Sequence, residues 1–190
     1  MEIVIKSFKQ LDRYLFFYRS FLCKRVFFSS SIKNKEIYTI IKALNEKNRY
    51  NRINYVLEEG CNYIDRYYKN CNTCKFVDNK CLCHRIKNLN IQNGCCHKCR
   101  FQSSNGCTTK NIACKLFLCS YVKEGIPSLS LRDIRILKIL TPIERYIVSN
   151  NYYSSIEEVS KDIYYGFIIS LFRTEFRLFK MYLFNKKKYD

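Results

Sequence analysis

The chain has 190 residues, 47% of them hydrophobic, which suits one or two small domains and argues against general disorder. Five glycines and two prolines disfavour an all-β architecture and phosphate-cradling loops, and neither GxGxxG nor GxxxxGK occurs. The formal charge of +18 invites anionic partners, while only two histidines, both within a cysteine cluster, make a Ser-His-Asp triad improbable.

From the first residue, "MEIVIKSFKQLDRYLFFYRSFLC" lacks the pattern of a secretory signal: an acid comes early, Arg13 and Arg19 cut the apolar run, and no small-residue cleavage site follows. The expected compartment is therefore cytoplasmic and reducing, where disulfides do not persist. Phe8, Leu11, Leu15, Tyr18 and Leu22 recur at helical steps, with Lys9, Arg13 and Lys24 on the other side. A second helix is predicted across "NKEIYTIIKALNEKN", with Ile37, Ile40, Ile41 and Leu44 on its apolar face. A third is predicted through "RINYVLEEGCNYIDRYY", with Gly60 as a point of bending or interruption.

The sulfur is concentrated next. Of 12 cysteines, Cys23 and Cys61 stand apart on helical stretches and read as small core hydrophobes. The other ten run as C71-x2-C74-x6-C81-x-C83-H84, then C95-C96-x2-C99-x7-C107-x6-C114-x4-C119. A C-x2-C pair is a chelating knuckle that brings two sulfurs to one metal at about 2.3 Å. Cys71/Cys74 and Cys96/Cys99 form two such pairs, and the spacer of 21 residues between them sits at the long edge of a zinc ribbon. The candidate metal ligands are Cys71, Cys74, Cys81, Cys83, Cys95, Cys96, Cys99, Cys107, Cys114 and Cys119. One zinc leaves most of this sulfur unexplained, so two or more centres, or one polynuclear cluster, are expected.

Soft thiolates select zinc, iron–sulfur or Cu(I). The bacterial ferredoxin run is absent, and so is C-x3-C-x2-C, since residue 102 is Gln. Disulfide scaffolding and dithiol redox chemistry are the competing readings; the first lacks a secretory context and the second a thioredoxin-like βαβ setting. Adjacent Cys95 and Cys96 chelate one metal awkwardly, so they are expected to serve different centres or to ligate singly. His84 and His97 either ligate, hydrogen-bond a sulfur or face solvent. Residues 71–119 carry eight basic and one acidic side chain, an excess that offsets anionic thiolates.

After the cluster, "IACKLFLCSYVKEG" is predicted as a short helix capped by Gly125, with Cys114 in its first turn near the unpaired N–H groups. In such a helix Cys114 and Cys119 differ by about 140° and do not share one metal from mid-helix. "LSLRDIRILKIL" and "TPIERYIVSN" read as helices that meet where Thr141 caps and Pro142 opens the second. "SSIEEVSKDIYYG" opens with a capping box, Ser155 and Glu158. The closing stretch "GFIISLFRTEFRLFKMYLFNKKK" is amphipathic, with Ile168, Phe172, Phe176, Phe179 and Leu183 on one broad face. A core face is the default for such a stripe; an anionic membrane surface is the alternative, given Lys186–Lys188. The longest charge-free apolar run near either end, Ile163–Phe172, is half of what a bilayer crossing needs, about 20 residues.

"GCCHKC…NGCTTKNIACKLFLC", residues 94–119, resembles bacterial zinc- or iron-chelating cysteine-cluster proteins. The matched positions are Cys95, Cys96, Cys99, Cys107 and Cys114, with Lys115 where that family tends to have arginine. The family's C-x2-C directly ahead of its adjacent pair is displaced here to Cys71/Cys74, and an Arg-Pro before the later cysteine is replaced by "IA". The resemblance implies zinc or iron–sulfur binding. The expected protein is mainly α, with helical flanks (1–69 and 121–190) around a metal-organised centre (70–120) of little regular structure. No catalytic group is identifiable. The alternative function is a zinc-dependent nucleic-acid-binding module, in which Lys75, Lys80, Arg85, Lys87, Lys98 and Arg100 meet phosphates and Phe76 and Phe101 stack on bases.

Overall fold

A computed structural model describes residues 2–17, 26–71, 102–103, 106–107, 110–117, 128–152 and 154–166, together with 168, 172, 173, 175, 176 and 179. Its axis is a 23-residue helix, α3 (Arg49–Cys71). Ile53, Val56, Leu57, Cys61 and Ile64 are all buried, at the three- and four-residue steps that make one helical face. Gly60 lies on that face and does not interrupt the helix. A Cβ at Gly60 would stand 3.1 Å from Ile112 Cδ1 and 3.2 Å from Leu137 Cδ2, so glycine serves close approach here rather than bending.

Ahead of α3 come β1 (Glu2–Ile5), α1 (Phe8–Phe17), β2 (Phe27–Ser30) and α2 (Lys35–Asn45). The strands pair in parallel, from Glu2↔Phe27 to Ile5↔Ser30, and α1 lies in their crossover. This small sheet is absent from the sequence reading, whose first helix is α1; Tyr18 and Leu22 lie outside the described residues. Leu11 and Leu15 are buried as expected, as are Ile37, Ile40, Ile41 and Leu44 of α2. Asn34 caps α2, its side chain accepting from the N–H of Glu36 and of Ile37. At the other end of α2, Asn45 donates to Phe28 O and accepts from Phe28 N–H, both at 2.8 Å.

Beyond the cysteine-rich stretch come the hairpin strands β3 (Gln102–Ser103) and β4 (Gly106–Cys107), α4 (Ile112–Leu116), a 3-10 helix (Arg135–Ile139), α5 (Pro142–Asn150) and α6 (Ile156–Tyr165). Where an α-helix was expected over "LSLRDIRILKIL", the chain makes a turn and then the 3-10 helix. The burial explains it: Ile134, Leu137 and Leu140 recur every three residues, beside Ile136 and Ile139. That is the period of the tighter helix, with Leu137 N–H to Ile134 O and Leu140 N–H to Leu137 O. Lys138 and Arg135 bridge to Asp12 of α1, and Arg135 also to Glu36 of α2. Both predicted helix starts hold. Thr141 with Glu144 and Ser155 with Glu158 form complete capping boxes, and Pro142 opens α5.

The fold is mainly helical, with α3 packed against α2, α4, α6 and the 3-10 helix. Among the described residues no helix is long and apolar enough to cross a membrane. The expected metal-organised character of residues 70–120 falls largely outside the described residues.

Candidate metal centre

The sulfur-rich segment is held at both ends by one helix. It leaves α3 at Cys71, the last helical residue, and returns at α4, which packs back onto the middle of α3. Ile112 fills the space over Gly60, and Lys115 pairs with Asp65. Between these anchors, β3 and β4 pair antiparallel with two residues between them, setting Cys107 opposite Gln102.

Cys114 occupies the third position of α4, in the first turn as expected. Its N–H is not an open donor, however: Asn111, the N-cap, accepts it at 2.9 Å. The helix ends at Leu116, where the N–H of Phe117 turns back to Ala113 O and Cys114 O. The expected continuation to Gly125 is therefore not made by α4, and Cys119 lies outside the described residues. The Cys114 side chain is half-buried. It lies near Tyr152, whose phenol is raised above its ordinary pKa by burial and then by the charge of Cys114.

Cys61 is a different kind of cysteine. It is 2% exposed, and burial pushes its thiol up to about 12; Asp65 and Glu58 add to the shift while Lys115 and Lys110 oppose it. A thiol held neutral in this way is a poor ligand and a good apolar filler, as the sequence suggests.

Asn111 has a second task that its sequence context conceals. Its Nδ2 donates to Asn151 O at 2.6 Å and to Ser154 O at 2.9 Å. Ser154 Oγ donates to Asn151 Oδ1 at 2.5 Å, and Asn151 Nδ2 donates to Asp162 Oδ2 at 3.1 Å. Arg173 Nη1 reaches Asp162 Oδ1 at 3.0 Å from the surface. All four polar side chains, Asn111, Asn151, Ser154 and Asp162, are buried. They fix the helix that carries Cys114 to the α5–α6 junction. The available signal is an Asn three residues ahead of Cys114, the N-cap pattern, followed by polar residues between two predicted helices.

Of the ten candidate ligands, Cys114 is described with its side chain, and Cys71 and Cys107 by backbone placement alone. Cys74, Cys81, Cys83, Cys95, Cys96, Cys99 and Cys119 lie outside the described residues, as do Cys23, His84 and His97. Among the described residues no group of three His, Cys, Asp or Glu side chains is arranged to hold a metal ion. No family model, no curated protein and no solved structure matches this chain.

Proposed function

We propose that this chain is a metal-binding protein whose thiolates between Cys71 and Cys119 hold zinc or iron–sulfur. The observation that carries the reading is the placement of ten cysteines in one stretch whose two ends are tied to a single rigid helix. Holding the ends close lowers the entropy lost when an inner loop closes on a metal. Tetrahedral sites use four protein ligands each, so ten thiols supply about two zinc centres with two thiols over. The donor set is soft, which suits zinc or iron–sulfur rather than magnesium or calcium. Residues assigned to the centres are Cys71, Cys74, Cys81, Cys83, Cys95, Cys96, Cys99, Cys107, Cys114 and Cys119. Binding energy there is folding energy for the segment between the anchors.

The test is anaerobic purification without chelator, followed by an absorption spectrum and elemental analysis. About two or more metal equivalents per chain are expected. Less than about half an equivalent of any transition metal would overturn the reading. Ser at Cys99, Cys107 or Cys114 should lower metal content and protease resistance together, whereas Cys61→Ser should leave metal content unchanged.

A further inference from the structure

The stretch that closes the sequence places an apolar stripe outward. Residues 168, 172, 173, 175, 176 and 179 are helical. Ile168 is 66%, Phe172 73% and Phe179 57% exposed, with Phe176 at 58%. At about 100° per residue, positions 168, 179, 172 and 176 fall within an arc of about 80°. Side chains on both flanks of that arc hold the helix to the body. Arg173 Nη1 reaches the buried Asp162 at 3.0 Å, and Tyr146 Oη donates to Glu175 Oε1 at 2.9 Å. By the same rotation, Arg173 and Glu175 lie about 140° and about −20° from Ile168, so their tethers turn the apolar arc away from α5 and α6. A core face, the default reading of this stripe, does not describe these residues.

What covers the arc is narrowed by charge. Residues 167–190 carry six basic and two acidic side chains, and the whole chain carries +18. A second copy would bring the same charge against it. Residues 72–101 of this chain are equally unsuited, with six basic side chains and one acidic. An exposed apolar arc in a stretch whose sequence is net basic matches a surface that is apolar just beneath a layer of negative charge. We infer that Ile168, Phe172 and Phe179 dock this protein on anionic membrane surfaces, the helix lying in the plane of the headgroups. Aromatic rings suit that depth, and the net positive charge of the sequence around them favours an anionic surface over a neutral one.

The chain contains no tryptophan, so Phe172→Trp gives a single fluorescent reporter. The full-length protein is mixed with vesicles of phosphatidylcholine containing phosphatidylserine, and with vesicles of phosphatidylcholine alone, and sedimented. Binding to the anionic vesicles should be stronger by about tenfold or more and should fall as salt rises. The Phe172→Trp emission should shift to the blue on those vesicles. The double variant Phe172→Ser, Phe179→Ser should bind about tenfold more weakly with an unchanged thermal melt, because both rings are exposed in the fold. Equal binding to both vesicle types, an unshifted emission from vesicle-bound protein, or undiminished binding by the Ser variant would each overturn the inference. So would a dimer in sedimentation velocity that the Ser variant abolishes, since that assigns the stripe to a second copy.

Discussion

Asn111 offers a direct test of how the cysteine-bearing helix is held. Its side chain makes three hydrogen bonds, one to Cys114 N–H and two to the carbonyls of Asn151 and Ser154. At about 1 kcal/mol net per bond, Asn111→Ala should cost about 3 kcal/mol. For a chain of this size that is a melting point lower by about 6–12 °C. The isosteric Asn111→Asp is more informative. It keeps the cap on α4 but turns a second oxygen toward two carbonyl oxygens at 2.6 and 2.9 Å. Burial and these carbonyls both disfavour the carboxylate, so the carboxyl is pushed above its unfolded value of about 3.9. The folded variant then keeps its proton to higher pH than the unfolded chain. Its stability is fully present below the unfolded value and is lost as pH rises through the folded one. At pH 7 Asn111→Asp should be no more stable than Asn111→Ala, and the gap between it and the parent should narrow toward pH 4. Thermal melts followed by circular dichroism at both pH values measure this. An Asn111→Asp variant that melts with the parent at pH 7 would refute the donor assignment on which the network rests.

Cys61 should react with iodoacetamide at pH 8 far more slowly in the folded chain than in urea, as mapped by mass spectrometry, because burial holds its thiol up at about 12. Its folded value lies above the unfolded 9.0, so its contribution is intact below pH 9 and is lost between pH 9 and about 12, visible as a falling melting point. Gly60→Val should destabilise by about 1–3 kcal/mol in chemical denaturation, since the added carbons meet Ile112 and Leu137 already at 3.1 and 3.2 Å. Thr141→Ala and Ser155→Ala should each cost about 1 kcal/mol, and the double variant about their sum, because the two boxes start different helices. Duplex DNA binding should be weak at physiological salt, with a log–log slope of about 0.9 per phosphate contact; nanomolar sequence-selective binding would favour the nucleic-acid reading.

What the sequence reveals depends on the range of the interaction. Capping boxes are local, so Thr141/Glu144 and Ser155/Glu158 are legible from spacing alone. The faces of α2 and α3 are legible because their apolar period is unbroken over three or more turns. The two strands are not, because "EIVI" and "FFSS" are four residues each and pair across a 21-residue crossover. Two short segments carry too few alternations to outvote the helical stripe between them. Gly60 misleads because a glycine needed for helix contact and a glycine that breaks a helix look alike in one dimension. The 3-10 helix was readable in principle from the three-residue recurrence of Ile134, Leu137 and Leu140, which is close enough to 3.6 to pass for an α-helix. The polar network is hidden because Asn111, Asn151 and Ser154 are the residue types expected in solvated loops, and their burial is decided by tertiary packing. For the metal centre, sulfur spacing identifies the donors, while which sulfurs share an ion depends on contacts between residues far apart in the chain.

The clamp of Asn45 on Phe28 limits how this protein can exchange segments with its neighbours. A side-chain amide offers the same donor and acceptor as a peptide group, so Asn45 acts as a third strand one residue long along the outer edge of β2. A strand donated by another molecule would have to break both bonds and lift the end of α2, whose Ile41 and Leu44 are buried in the core just before it. The two-stranded sheet is thereby closed to extension beside Phe28 by an element of the same chain. A ladder of copies growing from the β2 edge is thereby stopped at Phe28.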